Sequence, residues 1–230
     1  MKSVVRLLPA LAVLAAMTAG CAFTVAQSPE TVAPGRIFAG GLASISPGYK
    51  YTTRKALWPY SAEVGAYGRA GLARNFDAGL RVSVPGGVAA DIKYQLLSQR
   101  AKLAVGLGAS YAPFISTTLV SGYHHSQVGI YPLVVGGSRQ LYGGVRGIGL
   151  LVFDSNYQNR AYYAGPEFFA GSSIGRGRLQ ALPEVHAWWL PYAPAPAVGI
   201  GIGLAVQYQL KGSLAQYEKL IPKGIIPGIN

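Results

Sequence analysis

Polar and apolar residues change places at nearly every position in four strand-length runs between residues 61 and 111. Successive side chains of a strand point to opposite faces, so each run predicts a strand with one wet face and one greasy face. The first sets Glu63, Gly65, Tyr67 and Arg69 against Val64, Ala66, Gly68 and Ala70. The second sets Asp77, Gly79, Arg81 and Ser83 against Phe76, Ala78, Leu80, Val82 and Val84. In the third, Ala89, Asp91, Lys93 and Gln95 oppose Val88, Ala90, Ile92, Tyr94 and Leu96. In the fourth, Lys102, Gly106, Gly108 and Ser110 oppose Leu103, Val105, Leu107 and Tyr111. Every charged group takes the same side. The joins between runs are brief, which makes the neighbours antiparallel.

The pattern continues on both sides. A first strand is expected over residues 36–45, then a long loop, 46–60, which carries Lys50, Arg54 and Lys55 together with Tyr49, Tyr51, Trp58 and Tyr60. A second long loop, 113–126, holds His124 and His125. A hairpin follows over 127–135 and 141–151, and another strand over 160–171, where Pro166 lacks a ladder donor and so predicts a bulge or a strand end. The next run places Gln180, Leu182, Glu184, His186 and Trp188 opposite Leu179, Ala181, Pro183, Val185, Ala187 and Trp189. The last has Val198, Ile200, Ile202, Leu204, Val206, Tyr208 and Leu210 on one side and mostly glycine on the other. The count is about ten strands, with eight as the alternative, in keeping with the even numbers of bacterial barrels.

Half of the 230 residues are hydrophobic, 31 are glycine and only 12% are charged. Beyond the first residues there is no run of about 20 apolar residues of the kind a spanning helix needs. Hydrophobicity is spread through the alternation instead. A soluble sheet turns its polar face to water, whereas a membrane barrel turns its apolar face to lipid and its polar face to the lumen. The pattern therefore predicts an all-β chain forming a closed antiparallel up-and-down transmembrane β-barrel, which leaves no unpaired edge in hydrocarbon. The formal charge of +12 is scattered along the chain. Scatter speaks against a nucleic-acid surface, which clusters its cations, and suits anionic lipid head groups.

The N-terminus carries Lys2 and Arg6, a short apolar run and then small residues, the form of a secretory signal. Ala19, Gly20 and Cys21 resemble the lipobox of bacterial lipoproteins. That resemblance implies cleavage before Cys21, lipidation of Cys21 with acyl chains such as palmitate, and, with Ala22 next, sorting to the outer membrane. The single cysteine rules out an internal disulfide. The expected organisation is a signal peptide at 1–20, a flexible tether at 21–34, the barrel at 35–210 and a C-terminal periplasmic tail at 211–230. Gly203, Leu204, Ala205, Val206, Gln207 and Tyr208 resemble the assembly signal of bacterial outer-membrane barrels, although here the chain runs on beyond it. The resemblance implies the barrel assembly machinery as a partner, alongside outer-membrane lipids and lipopolysaccharide touched by the basic loop.

Five of the eight acidic residues, Glu63, Asp77, Asp91, Glu167 and Glu184, fall on the predicted inner face with Arg69, Arg81, Lys93, Lys102 and Arg146. These ten residues form the expected lumen charge network, which fills a narrow interior and sets strand register. For catalysis only Glu184 and His186 suggest themselves, two apart on one strand face as base and orienter. His125 and Ser126 do not match the pattern of lipid A deacylases, and the paired acidic motifs of ten-stranded outer-membrane proteases are absent. No metal or cofactor is expected, because the three histidines lack a second spaced cluster and no glycine motif joins a strand to a helix. The leading reading is a lipid-anchored outer-membrane barrel with a structural, adhesive or passive transport role. The alternatives are a barrel enzyme acting on lipid or lipopolysaccharide, and a lipocalin-like binder of an apolar ligand, whose charges would face outward instead.

Overall fold

The computed structural model describes residues 27–50, 56–84, 87–115, 124–138, 140–154, 160–175, 178–192 and 197–210. The signal segment 1–20, Cys21 and the tail 211–230 lie outside the described residues. Ten strands follow one another: β1 (Ile37–Lys50), β2 (Ala56–Ala73), β3 (Phe76–Val84), β4 (Gly87–Ser98), β5 (Lys102–Ile115), β6 (His124–Gly137), β7 (Leu141–Asp154), β8 (Arg160–Ser172), β9 (Leu179–Leu190) and β10 (Ala197–Leu210). Each pairs antiparallel with its neighbours in sequence, and β1 pairs with β10, so the sheet closes into an up-and-down barrel.

The two long loops predicted from the sequence are shorter than expected, because the strands run further. The expected 46–60 loop is strand up to Lys50 and again from Ala56. Pro47 and Pro59 mislead there: they fall where the β1–β2 register shifts, between the pairs Ser46↔Ser61 and Gly48↔Leu57. An irregular stretch of that kind tolerates a residue with no N–H. The 113–126 loop is likewise strand up to Ile115 and from His124. At Pro166 the ladder between β8 and β9 stops at Glu167↔Trp188 and resumes only as a single bridge between Ala164 and Tyr192.

The two rows of each strand separate cleanly by exposure. Leu80, Ile92, Leu107, Ile130, Phe168 and Ile200 all point away from the barrel axis and are about half exposed or more. Asp77 and Glu63, by contrast, are 0% and 1% exposed. This is the inverse of a lipocalin-like barrel: aliphatic groups face out and ions face in. The interior is also two-sided. One set of charges gathers on β2, β3 and β4 and another on β7, β8 and β9, while Leu42, Leu133, Val135, Phe169, Leu182 and their neighbours make an apolar cluster between them.

The described part of the expected tether is not free. Residues 27–36 turn into the barrel mouth beside the β2–β3 connection, where Gly35 N–H donates to Gly71 O at 3.1 Å and Gly71 N–H to Arg36 O at 3.0 Å. Pro29 is fully buried and Val32 nearly so. This segment is called the strap below.

Candidate functional site

The register places Arg69, Gly79 and Asp91 side by side on β2, β3 and β4. Arg69 reaches across Gly79, pairing with Asp91 on the far strand and with Asp77 further along β3. Gly79 makes this possible: a Cβ there would lie 2.7 Å from Arg69 Nη2 and 2.9 Å from Asp91 Oδ2. The second oxygen of Asp77 accepts the Val32 N–H at 2.8 Å and faces Lys93 Nζ at 3.7 Å. One buried carboxylate thus joins β2, β3, β4 and the strap.

A second cluster lies on β7 and β8. Arg146 and Glu167 are register partners, and Arg146 Nε donates to Glu167 Oε2 at 2.5 Å. The guanidinium also sits 5.3 Å from the centre of the Tyr131 ring, an attractive cation–π distance. The Tyr131 hydroxyl and Ser110 Oγ are 2.9 Å apart. Between this pair and the Arg69 cluster lies a cavity of about 60 Å³ lined by Tyr67, Arg69, Arg81, Asp91, Tyr131 and Arg146, with room for a few waters.

Glu184 and His186 both point inward, yet they do not pair with each other. Tyr142 donates its hydroxyl to Glu184 Oε1 at 2.9 Å, and neither nitrogen of His186 has a hydrogen-bond partner among the described residues. The base-and-orienter arrangement is therefore not formed. His186 lies over Gly201, where a Cβ would collide with its ring. Trp188 lies in the same way over Gly199 and reaches β1, donating from Nε1 to Ser46 Oγ at 2.9 Å. Across the same seam in the other direction, Tyr67 on β2 donates to Gln207 Oε1 on β10 at 3.0 Å.

The remaining members of the expected network occupy separate places. Arg81 Nε is 3.9 Å from Glu63 Oε1, and both Glu63 oxygens lack a hydrogen bond among the described residues, as does Ser44 Oγ, its register neighbour on β1. Lys102 Nζ lies 2.8 Å from Glu30 Oε1 on the strap rather than beside one of the expected wall carboxylates among the described residues. Tyr142 and Tyr131 have no signal in the sequence, since a lone tyrosine in a strand carries no spacing pattern, and Gln207 stands out there only within the segment that resembles an assembly signal. Of the histidines, His124 and His125 belong to β6 by backbone alone. Among the described residues no group of three His, Cys, Asp or Glu side chains converges to hold a metal.

Fold and interior together define the class: a closed ten-stranded antiparallel barrel with an apolar outer wall and a salt-bridged lumen. No family model matches the chain, and no curated protein matches its sequence. Among solved structures it is similar to Ail, the attachment invasion locus protein of Yersinia pestis, at 10% identity and a TM-score of 0.41, over 77% of this chain and 99% of that one. It is similar to Neisserial surface protein A at 8% identity and 0.38, over 75% and 96%. The outer membrane protease OmpT of Escherichia coli gives 10% and 0.38, over 80% and 100%. Overlap at that level says nothing about what this chain binds or does.

Proposed function

We propose that this chain is a lipid-anchored outer-membrane barrel with a structural or adhesive role, its interior filled rather than open. The observation that carries the reading is the outer wall. Large aliphatic and aromatic side chains such as Leu80, Ile130, Phe168 and Ile200 stand exposed around the barrel while the ions are turned inward. In water such a wall leaves far more apolar surface in contact with solvent than monomeric proteins carry. In hydrocarbon it is the stable arrangement, because every ladder bond is made internally and the lumen hides the charges. The strands, 9 to 18 residues long, suffice for the about 9 to 11 residues a tilted spanning strand requires.

The lumen argues for a scaffold over a diffusion pore. Ten strands enclose little more than their own side chains, and here buried salt-bridged arginines line the inner wall, tying neighbouring strands together. The start of β1 and the end of β10 share one mouth with the connections 74–75, 99–101, 138–140 and 173–178, while the longest connection, 116–123, is at the opposite mouth, which supports reading the first mouth as the periplasmic end. Outer-membrane lipids, lipopolysaccharide and the barrel assembly machinery are the partners this placement implies. Anchoring would come from acyl chains on Cys21.

Gel mobility and lipid labelling test this reading together. The folded chain should migrate faster unheated than boiled, aggregate when detergent is removed, and incorporate radiolabelled palmitate that the Cys21→Ser variant does not. A protein lacking residues 1–26 that stays monomeric in plain buffer would remove the membrane assignment. Label retained in Cys21→Ser would remove the anchor alone.

A further inference from the structure

The strap is held at the mouth by contacts that read a peptide rather than a surface. Lys93 Nζ, 2% exposed as a side chain, donates to two main-chain carbonyls, Ser28 O at 2.7 Å and Glu30 O at 2.9 Å. Gln95 Oε1 accepts both the N–H and the hydroxyl of Thr31, at 3.2 and 2.9 Å. Asp77 Oδ2 takes the Val32 N–H, and Lys102 takes the Glu30 carboxylate at 2.8 Å. The chain bends at Pro29 and Glu30, which brings alternate carbonyls to one ammonium, and Pro29 itself is fully buried.

These donors and acceptors belong to the wall, on β3, β4 and β5, and they match main-chain groups that any peptide of this shape carries. A cavity of about 210 Å³ lies beside the strap, lined by Arg36, Lys93, Gln180 and Gln207, so the segment does not fill the mouth completely. Lys93 and Gln95 also sit on the inner row of a strand whose outer row is Ile92, Tyr94 and Leu96. Their inward aim is therefore fixed by the barrel and not by the strap.

We propose that this mouth is a peptide-binding site, filled in cis by residues 28–32, and that it accepts in trans a short bent peptide with an acidic and a hydroxyl residue after a proline. The strap acts as its resident ligand. Any competing segment of that chemistry would meet the same ammonium, amide and carboxylates. The site needs only the folded barrel, whatever surrounds its outer wall.

The test uses the full chain folded in detergent, with Thr31→Pro and Val32→Pro combined to remove the two strap N–H donors while leaving the wall intact. A second variant, Glu30→Arg, sets a cation against Lys102 without touching the backbone. Release of the strap is read in both variants by proteinase K cleavage within residues 27–36, mapped by mass spectrometry. The probe is a fluorescent peptide of residues 26–35, followed by anisotropy, with a scrambled peptide as control. The expected result is strap release with at least tenfold tighter peptide binding than the unaltered chain, abolished by adding Lys93→Met. A released strap with no peptide binding would overturn the proposal, as would a strap still protected in both variants or equal binding of the scrambled peptide.

Discussion

Arg69→Met should be among the most damaging single changes in the barrel. The substitution preserves bulk but leaves Asp77, 0% exposed, and Asp91 without the guanidinium that neutralises them. Removing one partner from a buried ionic cluster costs about 3–5 kcal/mol, because Lys93 can offset only one of the two carboxylates and the other charge is left uncompensated. Denaturant unfolding in lipid vesicles, followed by gel mobility, should show the midpoint falling accordingly. The double variant Arg69→Met, Asp91→Asn should recover a good part of the loss, since Asp77 keeps Lys93 at 3.7 Å and no net charge is then stranded. If Arg69→Met unfolds within about 0.5 kcal/mol of the unaltered protein, a level typical of surface changes, the cluster is not a structural element.

The second large effect belongs to the outer wall. Leu80 is 55% exposed and lies on β3 among Ala78, Val82 and Ala66, all facing outward. Leu80→Arg should cost about 2–4 kcal/mol if that position sits near the bilayer midplane, and close to nothing if water bathes it. The contrast between vesicles and mild detergent makes the measurement specific. Loss of stability in vesicles should exceed the loss in detergent, whose headgroups can approach the new charge. Equal stability in all media would place this face in water and remove the membrane reading.

The barrel was legible wherever one row of a strand is charged and the other aliphatic. In β3 and β4 the alternation alone separates Asp77, Arg81, Asp91 and Lys93 from Leu80, Val82 and Ile92, and the exposure of these residues follows the same division. β6 is different: Tyr131, Leu133 and Val135 face inward, while Ile130 and Val134 face outward. Both rows are apolar, so no periodicity can choose between them, and the pairing with β5 and β7 fixes the inward row. The apolar cluster of the lumen stayed hidden for that reason.

The strap was hidden by a different cause. A stretch with Ser28, Pro29, Glu30 and Pro34 has the composition of a linker, and its hold on the wall comes from main-chain groups, which every residue carries. Composition reports side chains and is silent about such bonds. The same limit separates Glu184 from His186. Spacing put both on one face, but only the packing of β7 across β8 and β9 shows that Tyr142 reaches Glu184 first.

The joint between the two ends of the chain carries a constraint on how the ring is completed. Tyr67 and Trp188 each reach past an adjacent strand, one across β1 to Gln207 and the other across β10 to Ser46. Neither contact can exist in an open sheet, however well its other strands are zipped. The final alignment of first strand against last is thus checked by side chains that meet their partners only once the circle is whole.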